Sequence, residues 1–225
     1  MKILVACEES QAVTIELRKL GHEAYSCDII ECSGGHPEWH IQGDVLKVLN
    51  PGLHSCKICE EDIEWYGIYF QTMDGRHHFI GGKWDMLIAH PPCTYLSNAG
   101  ARFLYPKGIL NEERLEKGIE AKGFFMKIYN ADCEMICVEN PIPSKVYELP
   151  PYSQTVQPYE HGHPFSKKTC FWLKGLPTLK PTNIVEERQS TKIAGNWFNK
   201  GGKDRQKNRA KTFPGIAKAM AEQWG

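Results

Sequence analysis

The sequence predicts an α/β fold in which a mostly parallel sheet carries helices on both faces. Three observations predict it. Short apolar runs without polar alternation stand at 2–7 (KILVAC), 84–89 (WDMLIA) and 134–139 (EMICVE), as strands buried on both faces require. Amphipathic helical stretches lie between such runs. The chain opens strand, helix, strand within 2–28, the first unit of a doubly wound sheet.

The elements follow in order. Residues 2–7 form the first strand. Ser10 is placed to cap a helix to about Leu20, with Val13, Leu17 and Leu20 at helical spacing and Gly21 as the stop. A second strand, 23–28, ends on Asp28. Residues 30–37 are turn-rich, with Gly34, Gly35 and Pro37; a short element follows at 39–41, and Asp44 opens a brief helical turn to Leu49. Residues 50–82 hold glycines around an aromatic patch (Trp65, Tyr66, Tyr69, Phe70). They read as an inserted excursion with a hairpin, not a core element. The strand at 84–89 runs into His90-Pro91-Pro92-Cys93, where two prolines impose a stiff, extended exit. A helix spans 111–130, capped by Asn111, with Glu112 and Glu113 in its first turn and Leu115, Ile119, Phe124 or Phe125, and Ile128 along one side. The strand at 134–139 stops at Asn140-Pro141, and 169–173 is one more strand. After a polar, irregular stretch at 174–213, Pro214 opens a final helix to Trp224.

The 225 residues suit one core or one domain with a small appendage. Net charge is 0, yet residues 1–150 carry 14 Lys and Arg against 22 Asp and Glu, and 151–225 carry 13 against 5. The balances are −8 and +8. Such a split suits a small cofactor in front and a polyanion behind, or merely two solvated faces that attract. The start, MKILVACEES, turns polar too soon for a signal peptide, and no run of 18 apolar residues crosses a membrane. Nine cysteines, an odd number, then suit reduced thiols in a cytoplasm.

Two motifs carry chemistry. Cys93 follows a strand on a proline-stiffened loop, where parallel sheets hold their ligands. A thiolate there can act as a nucleophile; a packed core cysteine or a metal ligand are the alternatives. Glu139-Asn140-Pro141 also follows a strand on the same edge. Its carboxyl can work as a general acid or bind a heterocycle nitrogen, or simply end a turn.

With these motifs in order, the chain resembles the DNA cytosine 5-methyltransferases, and more closely a small phage-associated branch of them. ILVACEESQAV, Cys27-Asp28, Gly43-Asp44, WDMLIAHPPCTYLSNAG, Glu139-Asn140-Pro141, Phe165-Ser166-Lys167-Lys168-Thr169 and FPGIAKAMAEQW stand in the family's order. The resemblance implies a Rossmann-like, S-adenosylmethionine-dependent methyltransferase fold, in a bacterial or phage-infected cell. It implies that Cys93 adds to C6 of cytosine, that Glu139 contacts N3, that Asn140 braces them, and that Lys168 holds O2 or a phosphate. S-adenosylmethionine would lie against Ala6, Cys7, Glu8, Glu9 and Ser10, with Asp28 and Ile29 at the ribose, Asp44 and Val45 at the adenine, and Pro91 beside them. Duplex DNA with a flipped cytosine would meet Ser97, Lys167, Lys203, Arg205, Lys207 and Arg209; a free deoxycytidine nucleotide is the rival substrate, and a non-catalytic nucleic-acid-binding relative a third reading. Residues 1–173 would be the catalytic core, 174–208 a short recognition region and 209–225 a helix returning to the core. No oligomeric state is assigned.

The departures are specific. The family's first loop is glycine-rich, whereas Cys7-Glu8-Glu9-Ser10-Gln11 has no glycine. The basic cluster carries lysines rather than arginines, and only about 35 residues remain for recognition. Cys56-x-x-Cys59 with His77-His78 is an inventory compatible with zinc; the 17 residues between the pairs exceed usual finger spacing, so a metal-free hairpin is favoured. The stretch 203–211, preceded by Trp197 and Phe198, offers phosphate contacts and a stacking ring, or is a solvated loop. Cys133, Cys137 and Cys170 are expected in the core.

Overall fold

The computed structural model describes residues 1–55, 64–189 and 211–225. Among these, β1 (Lys2–Ala6), β2 (Glu23–Asp28), β3 (His40–Gln42), β7 (Met86–Ala89), β8 (Met135–Pro141), β9 (Gln154–Val156) and β10 (Thr169–Lys174) form one sheet in the order β3-β2-β1-β7-β8-β10-β9. Neighbours are parallel from β3 through β8; β10 runs antiparallel to both β8 and β9. The result is a mixed, mostly parallel α/β sheet flanked by helices.

Alternate residues of each strand face opposite layers. Ile3, Val5, Met86, Ile88, Cys137 and Phe171 pack beneath α1 (Ala12–Lys19) and α3 (Pro214–Trp224), which contribute Val13, Leu17, Ala217, Met220 and Trp224. Leu4, Ala6, Leu87, Ala89, Ile136 and Val138 face α2 (Glu112–Tyr129), through Phe125 and Ile128. Burial on both faces explains why KILVA and MLIA lack alternation.

The hairpin expected within 50–82 is present, but the expectation that it stands outside the core is corrected. β4 (Gly52–Ser55), β5 (Glu64–Gln71) and β6 (His77–Gly81) form a separate antiparallel sheet, and its inward Ile68, Phe70 and Ile80 belong to the α2-side core. Each such side chain stabilises by about 1.5–3 kcal/mol, which offsets the marginal stability of an isolated small sheet. Trp84 closes the seam, fully buried, its indole N–H donating to Val48 O at 2.7 Å.

Smaller differences have local causes. Helix α1 starts at Ala12, and Ser10 does not cap it. Leu20 and Ile119 are solvent-exposed; the buried face of α2 runs through Gly118, Phe125 and Ile128. Asn111 does cap α2, accepting from Arg114 N at 3.0 Å. The brief turn after Asp44 is a single 3-10 turn, Val45–Lys47. Strand β9, three residues within a proline-rich stretch, had no periodicity to reveal it. Cys133, Cys137 and Cys170 are buried as expected.

Candidate active site

Strand register brings the motifs together. Ala6 on β1 lies abreast of Cys27 on β2 and Ala89 on β7, and Ala89 abreast of Val138 on β8. The next residue of each strand therefore falls in one row along the carboxyl edge: Asp28, Cys7, His90, Glu139. The chain leaves β1 in one direction toward β2 and β3 and returns on its other side as β7. The loops after β1 and β7 thus flank the crevice where doubly wound sheets bind ligands.

The loop after β1 is shaped without glycine. Cys7 (φ 58°) and Gln11 (φ 57°) both hold left-handed backbone, at about 1–2 kcal/mol per residue. Buried hydrogen bonds hold it there. The Glu8 carboxylate caps α1, accepting from Val13 N (2.6 Å), Thr14 N (3.3 Å) and Thr14 Oγ1 (2.7 Å). Glu8 is therefore turned into the fold rather than toward a cofactor, and it takes the capping part expected of Ser10. Burial pushes its carboxyl upward, opposed by His90 and these donors. The buried Gln11 amide donates to His36 O (2.8 Å) and Ser26 Oγ (3.2 Å) and accepts from His36 N (3.1 Å). It clamps the 33–36 turn onto the loop, where Ser33 N also donates to Glu9 O at 2.8 Å. Glycine is needed at 34: a Cβ there would stand 2.6 Å from Gln11 Cβ and 2.7 Å from Ser10 O.

The two carboxylates after β2 and β3 are reached by solvent. Asp28 is half-buried and accepts from Ile30 N at 3.2 Å; burial raises its carboxyl, with the Ile30 and Ile29 amides opposing. Ile29 is exposed, and Asp44 is exposed while capping Leu46 N at 3.0 Å. Val45 and Ala6 lie in the core, so their side chains do not face a ligand. Burial, then Asp28, pushes the Cys7 thiol far up, and the Cys27 thiol to about 12. Both are poor nucleophiles.

The loop after β7 is braced from two sides. Pro91 is buried, and its carbonyl accepts from Asn140 Nδ2 at 3.4 Å. Cys93 is half-buried, and its carbonyl accepts from Ser97 N at 3.0 Å. Beyond it, Asn98 N donates to Ile142 O (2.8 Å) and Ser144 N to Leu96 O (2.7 Å), tying the segment after β7 to the one after β8. Arg114 of α2 donates to Thr94 O at 2.9 Å and lies over the Tyr95 ring. Ser97, expected at DNA, is buried and serves this brace.

Glu139 meets a residue to which the sequence assigned no part. His90 Nδ1 lies 2.6 Å from Glu139 Oε2, with the two side chains 9 % and 15 % exposed. Burial penalises the charge on Glu139, but the His90 hydrogen bond and charge, with Lys167 behind them, lower its pKa. Lys167 is half-buried and stands 5.8 Å over the Phe213 ring, while Lys168 points to solvent. Lys167, not Lys168, therefore acts on Glu139. A small crevice of about 10 Å³, room for a single water, is lined by Glu139, Lys167, Thr169, Phe171, Thr212 and Phe213 beside the start of α3. A larger hollow of about 500 Å³, between Leu46–Asn50 and the end of α2, touches none of the candidate residues. The His before Pro-Pro, closing a buried strand, was the signal available for His90; Phe213 and Thr212 had none.

Among the described residues no cluster of three or more metal-ligating side chains is present. His77 and His78 are consecutive on β6 and face opposite sides. His78 bonds Tyr25 OH and Thr72 Oγ1, both at 3.1 Å, and His77 bonds Tyr69 OH. They cannot converge on one ion; Cys56 and Cys59 lie outside the described residues. So do Trp197, Phe198, Lys203, Arg205, Lys207 and Arg209. Among the described residues no helix is long and apolar enough to cross a membrane.

No family model matches the chain, and no curated protein does. Among solved structures it is similar to a provisionally assigned DNA modification methyltransferase encoded within an E. coli prophage, at 14 % identity and a TM-score of 0.41. That alignment covers 86 % of this chain, which spans 54 % of the other.

Proposed function

We propose that this protein transfers a methyl group from S-adenosylmethionine to C5 of cytosine in DNA, through a covalent adduct on Cys93. The carrying observation is the delivery of Cys93 and Glu139 by adjacent parallel strands to one edge, beside the loop that follows β1. The donor set there fits the methyl donor. Carboxylates close β2 and follow β3, at Asp28 and Asp44, where hydroxyls and an amino group would find acceptors, and residues 6–17 contain no lysine or arginine to repel a sulfonium. S-adenosylmethionine supplies an electrophilic methyl group when bound.

The chain's residues do the rest. Cys93 Sγ bonds to C6, and the C5–C6 π pair shifts through C4 to N3, where Glu139 delivers a proton. The ring is then an enamine, and C5 is nucleophilic enough to take the methyl group. Loss of the C5 proton to water re-forms the double bond and expels Cys93 as thiolate, while N3 returns its proton. Asn140 holds Pro91, and so the Cys93 loop, against β8. The His90 hydrogen bond and charge, with Lys167 behind them, lower the Glu139 pKa, so the proton it delivers to N3 must be resupplied at each turnover. In duplex DNA the cytosine must leave the stack, at about a few kcal/mol; Lys203, Arg205, Lys207 and Arg209, in the proposed recognition region and the start of the closing helix segment, would hold the phosphates.

Tritium transfer from labelled S-adenosylmethionine to duplex DNA and to deoxycytidine monophosphate tests this. The expected outcome is label in DNA that disappears with Cys93→Ser. Label in the free nucleotide alone moves the substrate to the nucleotide. Label that persists in Cys93→Ser overturns the covalent step. DNA binding without any transfer leaves the non-catalytic reading.

A further inference from the structure

The buried pair behind the site offers more than a fixed carboxylate. His90 closes β7, between β1 and β8, and its ring is nine-tenths buried. One nitrogen is bound to Glu139; Nε2 has no hydrogen-bond partner among the described residues. A buried imidazole with one nitrogen unsatisfied is destabilising, so its presence calls for a reason. The charged groups that face it are Glu139 from β8, Glu8 from the loop after β1, and Lys167 from the segment before β10. Two carboxylates against one ammonium favour a cationic ring.

We propose that His90 is a positioning residue: it fixes Glu139 through Nδ1 and stores the proton that Glu139 passes to cytosine N3. This rests on the reading above. The balance closes. As Sγ bonds to C6, N3 takes a proton from Glu139, and Glu139 takes the Nδ1 proton, leaving neutral imidazole. When sulfur leaves, the proton returns along the same path. Burial alone would lower the His90 pKa, but the Glu139 hydrogen bond, its charge and that of Glu8 raise it above 6.5 despite Lys167. Glu139 alone, held ionised by these cations, would have no proton to give.

The test uses the full chain labelled with 15N-histidine and titrated by NMR, together with the transfer assay. His90 is expected to carry both ring protons at pH 7, and to titrate lower in Glu139→Gln. His90→Asn keeps a donor near the Nδ1 position but cannot store a proton. Its kcat is expected to fall about 10²–10⁴-fold with KM for DNA unchanged, and the alkaline limb of the pH–rate profile is expected to disappear. His90 neutral at pH 7, or indifferent to Glu139→Gln, overturns the proposal, as does a His90→Asn enzyme with the parent pH profile. If His90→Asn does not fold, the Glu139→Gln titration alone decides. Absence of methyl transfer overturns the function itself, whereas a neutral His90 in an active enzyme overturns only the proton store.

Discussion

The loops after β1 and β7 leave the same edge of the same sheet, one strand apart, and hold their shape by opposite means. The β1 loop has two non-glycine residues in left-handed backbone, kept there by Glu8 capping α1 and Gln11 clamping the 33–36 turn. The β7 loop takes its shape from two prolines and is tied to the segment after β8 by backbone hydrogen bonds and Asn140. The first loop stores strain against buried polar contacts; the second is pre-set by its covalent structure. A rigid mount suits a nucleophile. The first loop holds left-handed backbone without the glycines that would relax it.

The largest effect belongs to the second loop's partner strand. Glu139→Gln is expected to lower kcat about 10²–10⁴-fold, read by the transfer rate. Next is Glu8→Ala, which leaves Val13 N and Thr14 N buried without the carboxylate. It is expected to cost about 3 kcal/mol in urea unfolding; a loss below about 1 kcal/mol would mean the first loop is not held by this cap. Relieving strain has a smaller and opposite effect. Cys7→Gly is expected to stabilise by about 1 kcal/mol, whereas Gln11→Gly destabilises, because it discards the clamp along with the strain.

The pH dependence is the subtlest. Glu139 is lowered from 4.5, so its contribution is present above 4.5 and is lost as pH falls through its folded value. His90 is raised from 6.5, so its contribution is present below 6.5 and is lost as pH rises through its folded value. The pair therefore stabilises fully between 4.5 and 6.5. Unfolding measured across pH should show the parent losing stability on both sides of that window relative to Glu139→Gln.

The same contrast explains what the sequence made legible. Buried parallel strands write themselves as unbroken apolar runs, so β1, β7 and β8 were readable, as was the placing of Cys93 and Glu139 at or just past the ends of two of them, on one edge. Pro-Pro is a local signal and needed no tertiary context. The first loop was not readable, because Glu8 and Gln11 act through contacts with Val13, Ser26 and His36 that only folding creates. The hairpin was read, but its place in the core was missed for a related reason. Ile68, Phe70 and Ile80 are its inward residues, but the glycines and exposed aromatics around them mask the two-residue period. His90 stood in plain view within the motif, yet only β8 supplies its partner.

In the proposed reaction Cys93, carried by the proline-stiffened loop, bonds to the cytosine ring. DNA bearing 5-fluorocytosine tests it most directly, since fluorine at C5 cannot leave as a proton and the adduct cannot collapse. With S-adenosylmethionine present, mass spectrometry of the digested protein should find the modified nucleotide on the peptide containing Cys93. Methyl transfer to ordinary cytosine without any trapped adduct, or an adduct on another cysteine, would contradict it.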